Sequence, residues 1–202
     1  LEPEIYSSTA PDNLFNSLKG VEAVLYGAHA EVANMQGNTS AQLLAIEESM
    51  TDIGFATAGA IANYLTQFQD FILDGVGSHL YDDMWDQNYR GIRNAHIILE
   101  ELDEAGISDS DKELIEAEAR FIRAIAYYNM YLWFGPVPLR TSSDQELELP
   151  RADEQELINF IESELLASIP ELPNTGQEKA WGRAHKGAAR GYLTKLYLHT
   201  KQ

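Results

Sequence analysis

Three aspartates stand close together in the sequence, and carboxylates at such spacing are candidate ligands for a metal ion. Asp82, Asp83 and Asp86 follow Ser78 within one short stretch, and Ca²⁺ and Mg²⁺ prefer carboxylate oxygens. The same acids are also favourable beside the positive end of a helix dipole, and Ser78 is predicted to cap a helix here. We therefore interpret the aspartates as residues of a helix start and predict no metal site.

Other residue types that could carry catalysis lack partners at the required spacing. Glu118 and Arg123 would point about 140° apart on a helix, because each residue advances about 100°, so we interpret them as separate contacts to neighbouring helices. The five histidines show no His-Glu-x-x-His or other metal-ligand spacing. No Gly-x-Ser-x-Gly motif, phosphate-binding glycine loop or dinucleotide fingerprint occurs. The sequence predicts neither an enzyme nor a cofactor.

Aromatic side chains near irregular segments are the remaining candidates for ligand binding. Sugar rings present apolar C–H faces that stack on aromatic rings, while carboxylates and amides bind the hydroxyl groups. Core packing is the alternative for Trp85, which also fits the apolar stripe of a helix. The candidate ligand contacts are Phe71, Asp74, His79, Tyr81, Trp85 and Trp181.

The composition excludes several partners. A net charge of −18 over 202 residues repels phosphate backbones and anionic lipid, so nucleic acid is not an expected ligand. The chain has no cysteine and no apolar run of the roughly 20 residues that span a bilayer. The first residues, 1–4, show neither the basic start nor the apolar middle of a signal peptide. The chain is therefore expected to be soluble as it stands, or to have lost a targeting segment already.

The candidate residues are positioned by helices, and no strand pattern is visible. Apolar residues three and four apart predict a first helix from about Pro11 to Val32. An irregular insertion of about 37–80 follows, with two shorter helices. Two helix hairpins come next, at about 80–134 and 153–199, separated by an extended acidic connector. The predicted fold is a single all-α region, 1–202, of tetratricopeptide-like helix hairpins (the α-solenoid type) with irregular loops.

Four blocks of sequence, in a fixed order, resemble the SusD/RagB family of surface nutrient-binding lipoproteins. Glu164 stands where that family usually has aspartate, and Asn94 precedes Ala95 where the family has the reverse order. The blocks are WDQNYRGIRNA at 85–95, EARFIRA at 118–124 with WFGPVPL at 133–139, PRA at 150–152 with the helix ending at Glu164 and Leu165, and Gly182-Arg183 ahead of KGAA at 186–189.

The resemblance implies the function and the location of the protein. Members capture glycans, oligosaccharide or polysaccharide, without catalysis and deliver them to a TonB-dependent, SusC-like transporter. They sit on the extracellular face of the outer membrane through an N-terminal lipid anchor, which this chain does not contain. They also continue into a C-terminal half that is absent here. The alternative is a helical-repeat scaffold that binds other proteins, and an all-α hydrolase is a third hypothesis.

Overall fold

The computed structural model describes residues 14–34, 43–54, 62–72, 78–146 and 148–201. Within these ranges the only regular elements are helices, which confirms the predicted all-α fold. None of the described helices is long and apolar enough to cross a membrane. The helices are α1 (Leu18–Asn34), α2 (Leu43–Ser49), α3 (Ala62–Gln69), α4 (Ser78–Glu101), α5 (Asp109–Phe134), α6 (Glu154–Ser168) and α7 (Lys186–Thr200).

The two longest helices, α4 and α5, form the central hairpin. Ser108 caps α5 by accepting a hydrogen bond from the backbone N–H of Asp111, and Gly135 ends it with φ of 67°, a conformation that glycine adopts without steric cost. The short connection between the helices makes them antiparallel. Their facing side chains form the middle of the main core, in which Ile98 and Ile122 are fully buried.

Helix α1 packs against both members of this hairpin. It begins at Leu18, later than predicted, because the Phe15 carbonyl accepts a hydrogen bond from Gly106 rather than from the next helical turn. Its predicted stripe of Val21, Leu25 and Ala28 is buried. At Gly91 a Cβ atom would lie 2.9 Å from the Val32 side chain, so the close approach of α1 to α4 requires glycine there.

The second hairpin, α6 and α7, follows the extended connector as predicted. Asp153 caps α6 by accepting hydrogen bonds from the N–H groups of Gln155 and Glu156. Helix α7 begins at Lys186 instead of Arg183, and the His185 side chain is its N-cap. Arg183 therefore lies in the loop before the helix, where its side chain is free to point into the core.

The irregular insertion contains the two short helices α2 and α3, as predicted. Ile46, Leu65 and Phe68 form a small second core with Met84 of α4. Helix α4 itself begins at Ser78, so Ser78 is its first residue rather than its cap, and Asp82 lies beyond the first turn. The predicted helix-dipole explanation for the three aspartates is therefore wrong. The described residues contain no cluster of acids and histidines that could hold a metal ion.

A buried ion pair joins α5 to the loop before α7 and to α1. The Arg183 guanidinium donates from Nε and Nη2 to the Glu118 carboxylate at 2.7–3.0 Å, and Glu118 is only 1% exposed. Helix α1 adds Glu22, 2.9 Å from Arg183 Nη1, and His29, 3.2 Å from Glu118. Because a buried charge is costly unless it is paired, these contacts fix how three elements meet.

A second buried ion pair joins the other side of α5 to α6. Glu164 accepts from Arg123 Nε at 2.7 Å and from Arg120 Nη1 at 2.8 Å. Glu118 and Arg123 thus contact different neighbours, which confirms their interpretation as separate structural contacts. The resemblance blocks at 118–124, 164 and 183 are therefore joined to one another in space.

Replacing Glu118 with alanine should destabilise the fold strongly. The change leaves the buried Arg183 guanidinium without its main partner, and the loss of one member of a buried pair costs about 3–5 kcal/mol. The free energy of unfolding from urea titration measures the effect. Glu113→Ala, at an exposed position of the same helix, is the control and should change it by about 0.5 kcal/mol or less. If Glu118→Ala lowers the free energy of unfolding no more than Glu113→Ala does, the assigned role of Glu118 in the buried ion pair is contradicted.

Acidification should destabilise the fold through His96 of α4. Burial lowers the pKa of His96 from 6.5 to about 4, and the charge of Arg123 lowers it further, against the opposite effect of Glu100. As the pH falls, the unfolded chain is protonated before the folded protein, because its histidine has the higher pKa. Neutral His96 therefore contributes stability above about pH 6.5, and this contribution is lost as the pH falls towards 4. The free energy of unfolding should fall by about 2 kcal/mol more between pH 7 and 5 in the parent than in His96→Gln. If the free energy of unfolding depends on pH equally in the parent and in His96→Gln, this role of His96 is refuted.

Candidate functional site

One concavity in the described part of the chain combines aromatic rings with charged side chains, in a groove between α4 and the segment that follows α5. We call it the Trp85 groove, and its volume is about 480 Å³. Residues 85, 89 and 93 repeat at a spacing of four and therefore share one face of α4. The lining residues are Trp85, Asp86, Tyr89, Arg90, Arg93, Pro138 and Arg140.

Trp85 is held in the groove by other aromatic rings. Its ring lies 5.1 Å from that of Tyr89 at an angle of 48° and 5.3 Å from that of Phe134 at 81°. Tilted and edge-to-face arrangements of this kind are the favourable ones for aromatic pairs. Trp85 nevertheless remains only half-buried, so part of its surface is available to a ligand while its position is fixed.

Hydrogen bonds from tyrosines fix the opposite rim of the groove, residues 135–140. The Tyr89 hydroxyl donates to the Pro138 carbonyl at 2.8 Å. The Tyr127 hydroxyl donates to the Arg140 carbonyl and accepts from the Arg140 N–H, each at 2.8 Å. Pro136 and Pro138 have no N–H to satisfy. The rim is therefore an extended segment that is held in place by side chains of the two central helices.

Arg151 fastens the start of the same rim from the far end of the connector. Its Nη1 donates to the Phe134 carbonyl at 2.9 Å and to the Pro136 carbonyl at 2.5 Å, which satisfies carbonyls that the end of α5 leaves without a helical partner. Ala152 N–H donates to the Val137 carbonyl beside it. Residues of the block at 150–152 therefore form direct hydrogen bonds with residues of the block at 133–139.

Charged groups surround the aromatic floor. Arg90 Nε lies 3.0 Å from the Glu31 carboxylate of α1, and Arg140 Nη1 donates to the Gln145 carbonyl at 3.3 Å. Asp86 and Arg93 are exposed. Burial raises the pKa of Tyr89 to about 12, although the charges of Arg140 and Arg151 act against the rise. Tyr89 is therefore a neutral hydrogen-bond donor at physiological pH.

The groove provides groups for binding. An aromatic surface, planar guanidinium donors and one carboxylate acceptor suit a polar ring compound such as a sugar. Hydrolysis of a glycoside would require two carboxyl groups about 5–9.5 Å apart, and the described lining residues supply only Asp86. These residues can orient a ligand through stacking and hydrogen bonds.

The three selected residues whose side chains are described lie at three different cavities. Trp85 lines the groove, whereas Trp181 is fully exposed beside a second cavity of about 450 Å³. Phe71, exposed and with φ of 53°, lines a third cavity of about 640 Å³ between α2 and α3. His79 lies in the first turn of α4 and not in a loop as predicted, because the helix starts at Ser78.

Three of the selected residues lie wholly or partly outside the described part of the chain. Asp74 lies outside the described residues, and so do the side chains of His79 and Tyr81. Arg90, Arg93 and Arg140 are groove residues that the sequence patterns did not identify. A spacing of eight from Trp85 places Arg93 on the same helix face and could have identified it, whereas Arg140 enters only through the path of the connector.

The sequence as a whole matches a family model. The model of SusD-like proteins, described as starch-binding and associating with the outer membrane, matches residues 2–198. Among curated proteins, SusD-like protein P25 of Formosa agariphila is 32% identical over 120 residues, which are 57% of this chain and 23% of that protein. SusD-like protein P2 of the same organism is 24% identical and aligns with 98% of this chain and 39% of its own length.

Solved structures share the fold. A SusD-like protein of Bacteroides fragilis superposes with a TM-score of 0.76 at 24% identity, over 95% of this chain and 37% of that one. A laminarin-binding SusD-like protein gives a TM-score of 0.74 at 25% identity, over 89% and 40% of the two chains. The chain belongs to the SusD-like family. It spans between 23% and 39% of the curated relatives described here.

Removal of one hydroxyl should loosen the rim of the groove. Tyr127→Phe leaves the N–H and carbonyl of Arg140 without their shared partner, at a cost of about 1–3 kcal/mol. Hydrogen exchange followed by NMR should show faster exchange of the Arg140 amide, while amides in the middle of α5 keep their relative protection. Unchanged protection at Arg140 would mean that the hydroxyl does not hold the rim.

Proposed function

We propose that the protein captures glycans at the cell surface without catalysis and delivers them to a TonB-dependent, SusC-like transporter. Membership of a family described as starch-binding supports the carbohydrate ligand, and a related protein is named for laminarin binding. The function of the whole protein is a proposal, because this chain spans less than half of those relatives.

The observation that carries the proposal is the half-buried Trp85 ring beside polar planar groups. A pyranose ring that stacks on Trp85 brings its hydroxyl groups within reach of the guanidinium donors and of the Asp86 carboxylate. The platform is already fixed by Tyr89 and Phe134. Little side-chain entropy is therefore lost when a ligand binds, and preorganisation of this kind raises affinity.

The other residues selected from the sequence extend the proposed ligand surface. His79 and Tyr81 of α4 and Asp74 remain proposed ligand contacts on their residue types and their closeness in sequence to Trp85. Trp181 and Phe71 lie at other cavities, and each would serve as a separate aromatic contact along a long polysaccharide.

Family membership supports the proposed delivery to the transporter and attachment to the membrane. The family is described as associating with the outer membrane. We propose attachment to its extracellular face through a lipid on an N-terminal segment that precedes this sequence. The helix hairpins would face the transporter, while the irregular insertion and the groove would meet the sugar.

A protein-binding scaffold is the second candidate function. It is favoured by large apolar side chains that are exposed on three helices: Leu132 on α5, Leu166 on α6 and Leu198, 74% exposed, on α7. Exposed apolar residues in such number can mark a protein contact, although scattered ones are common on soluble surfaces. Retardation of the folded protein by polysaccharide in native gels separates the two candidates.

Trp85→Ala should weaken glycan binding about tenfold, which corresponds to about 1.4 kcal/mol of lost stacking. Retardation in native gels that contain starch or laminarin measures the affinity. Trp85→Phe should keep most of the binding, because a phenyl ring preserves both the packing and the stacking surface. Circular dichroism confirms that both variants are folded.

Trp181→Ala tests the separate contact at the second cavity and should reduce retardation less than Trp85→Ala does. If Trp181→Ala abolishes binding while Trp85→Ala has no effect, the ligand binds at the second cavity. If the folded parent is not retarded by any polysaccharide, the glycan-capture proposal fails and the scaffold function is favoured.

A further inference from the structure

The Trp85 groove differs in charge from the rest of the molecule. The chain carries a net charge of −18, yet the groove is lined by three arginines and a single aspartate. Two other arginines are used inside the fold: Arg123 binds Glu164 and Arg183 binds Glu118. At the groove, Arg90 binds Glu31 of α1, so it is the exposed charge of Arg93 that the needs of folding do not explain.

Arg93 has the most available charge of the three. It is exposed on the α4 face that carries Trp85, and no carboxylate in the described ranges lies within 4.0 Å of its guanidinium. Residues 85 and 93 are two helical turns apart, which places them about 12 Å from each other along the axis. An oligosaccharide of two or three rings spans this distance.

Arg90 also keeps donor groups for a ligand. Arg90 uses Nε for Glu31 of α1, and in the described part of the chain its two Nη groups bind no acceptor. Arg140 is half-buried in the rim and reaches the groove from the side opposite to α4. The guanidinium groups therefore flank the groove from both of its walls.

We propose that the groove selects acidic saccharides, in which a sugar stacked on Trp85 is followed by one that carries a carboxylate or a sulfate ester. This inference rests on the proposed glycan-binding function and specifies its substrate class. Guanidinium forks bind carboxylate and sulfate oxygens with charge-assisted, directional hydrogen bonds. Neutral hydroxyl groups gain much less from the same donors.

The acidic groups near the groove limit where the anion can bind. Asp86 lies beside Trp85 and repels a negative charge there, so it accepts hydrogen bonds from the hydroxyls of the stacked ring. Glu31 is compensated by Arg90. The overall negative field is screened beyond about 8 Å at physiological salt. The anionic group is therefore accepted at the Arg93 end of the groove and rejected at the Asp86 end.

The test compares three ligands of similar length by isothermal titration calorimetry: an oligogalacturonate, the same oligomer with its carboxyl groups reduced to alcohols, and a sulfated galactan oligosaccharide. The 202-residue chain should bind at least one acidic ligand about tenfold more tightly than the neutral one. Preference for the uronate or for the sulfated ligand identifies the source of the charge. Raising the salt concentration should remove most of the difference.

The variant Arg93→Gln keeps a planar donor and removes the charge. It should lower affinity for the acidic ligand about tenfold and affinity for the neutral ligand by a clearly smaller factor, because glutamine keeps a hydrogen-bond donor for hydroxyl groups. Arg190→Gln, an exposed position on α7, is the matched control for a change of net charge and should have no effect on either ligand.

The outcomes separate this inference from the proposed function. Binding of the neutral oligomer as tightly as both acidic ones overturns the acidic preference and leaves glycan capture standing. An equal loss in Arg93→Gln and Arg190→Gln overturns the role of the groove, because the effect would then be one of net charge alone. If the folded chain binds none of the three ligands, nor starch or laminarin, glycan capture itself is overturned.

Discussion

The arrangement of the helices depends on two buried ion pairs that leave opposite sides of α5. Glu118 holds Arg183 and the first helix, and Arg123 holds Glu164 of α6. The desolvation of such pairs consumes much of their attraction, so a well-packed apolar replacement could be equally stable. What the pairs provide is specificity: any displaced packing of α1, α6 or the loop before α7 leaves a charge buried without its partner. We therefore regard α5 as the element that sets the positions of the others.

The groove depends on the same helix in a less direct way. Tyr127 of α5 holds the rim at Arg140, and Phe134 at the end of α5 supports Trp85. The rim carries two prolines and receives its hydrogen bonds from side chains, so it lies against the helices without forming a strand. The floor and the rim thus belong to one rigid body, and the aromatic surface does not need to be assembled when a ligand binds.

The parts of the structure that were predicted correctly are those with local causes. The hairpin bounds near 134 and 153 are set by the adjacent residues Gly135 and Asp153, and the two hairpins follow from helical spacing and short connections. The divergence of Glu118 and Arg123 was predicted from helix geometry alone. Their partners were not, because pairing with Arg183 and Glu164 depends on how distant segments pack.

Errors arose where a distant contact decides the local structure. The Phe15 carbonyl binds Gly106, so α1 starts at Leu18. The candidate site was predicted only in part: Trp85 follows from its type and position, whereas Arg140 is brought to the groove by the fold of the connector. The resemblance to the SusD/RagB family was correct, and its blocks include the residues that form the buried pairs and fasten the rim.

The two faces of α4 have different consequences for how related proteins can diverge. Its inner face is fixed by Gly91, which admits no side chain beside Val32, and by buried Ile92 and Ala95. Positions 90 and 93 project outward, where substitutions change stability by only about 0.5 kcal/mol or less. Mutation at these positions can therefore alter which ligands are accepted while the scaffold persists unchanged. Related proteins could therefore acquire specificity for different glycans through single substitutions on this surface.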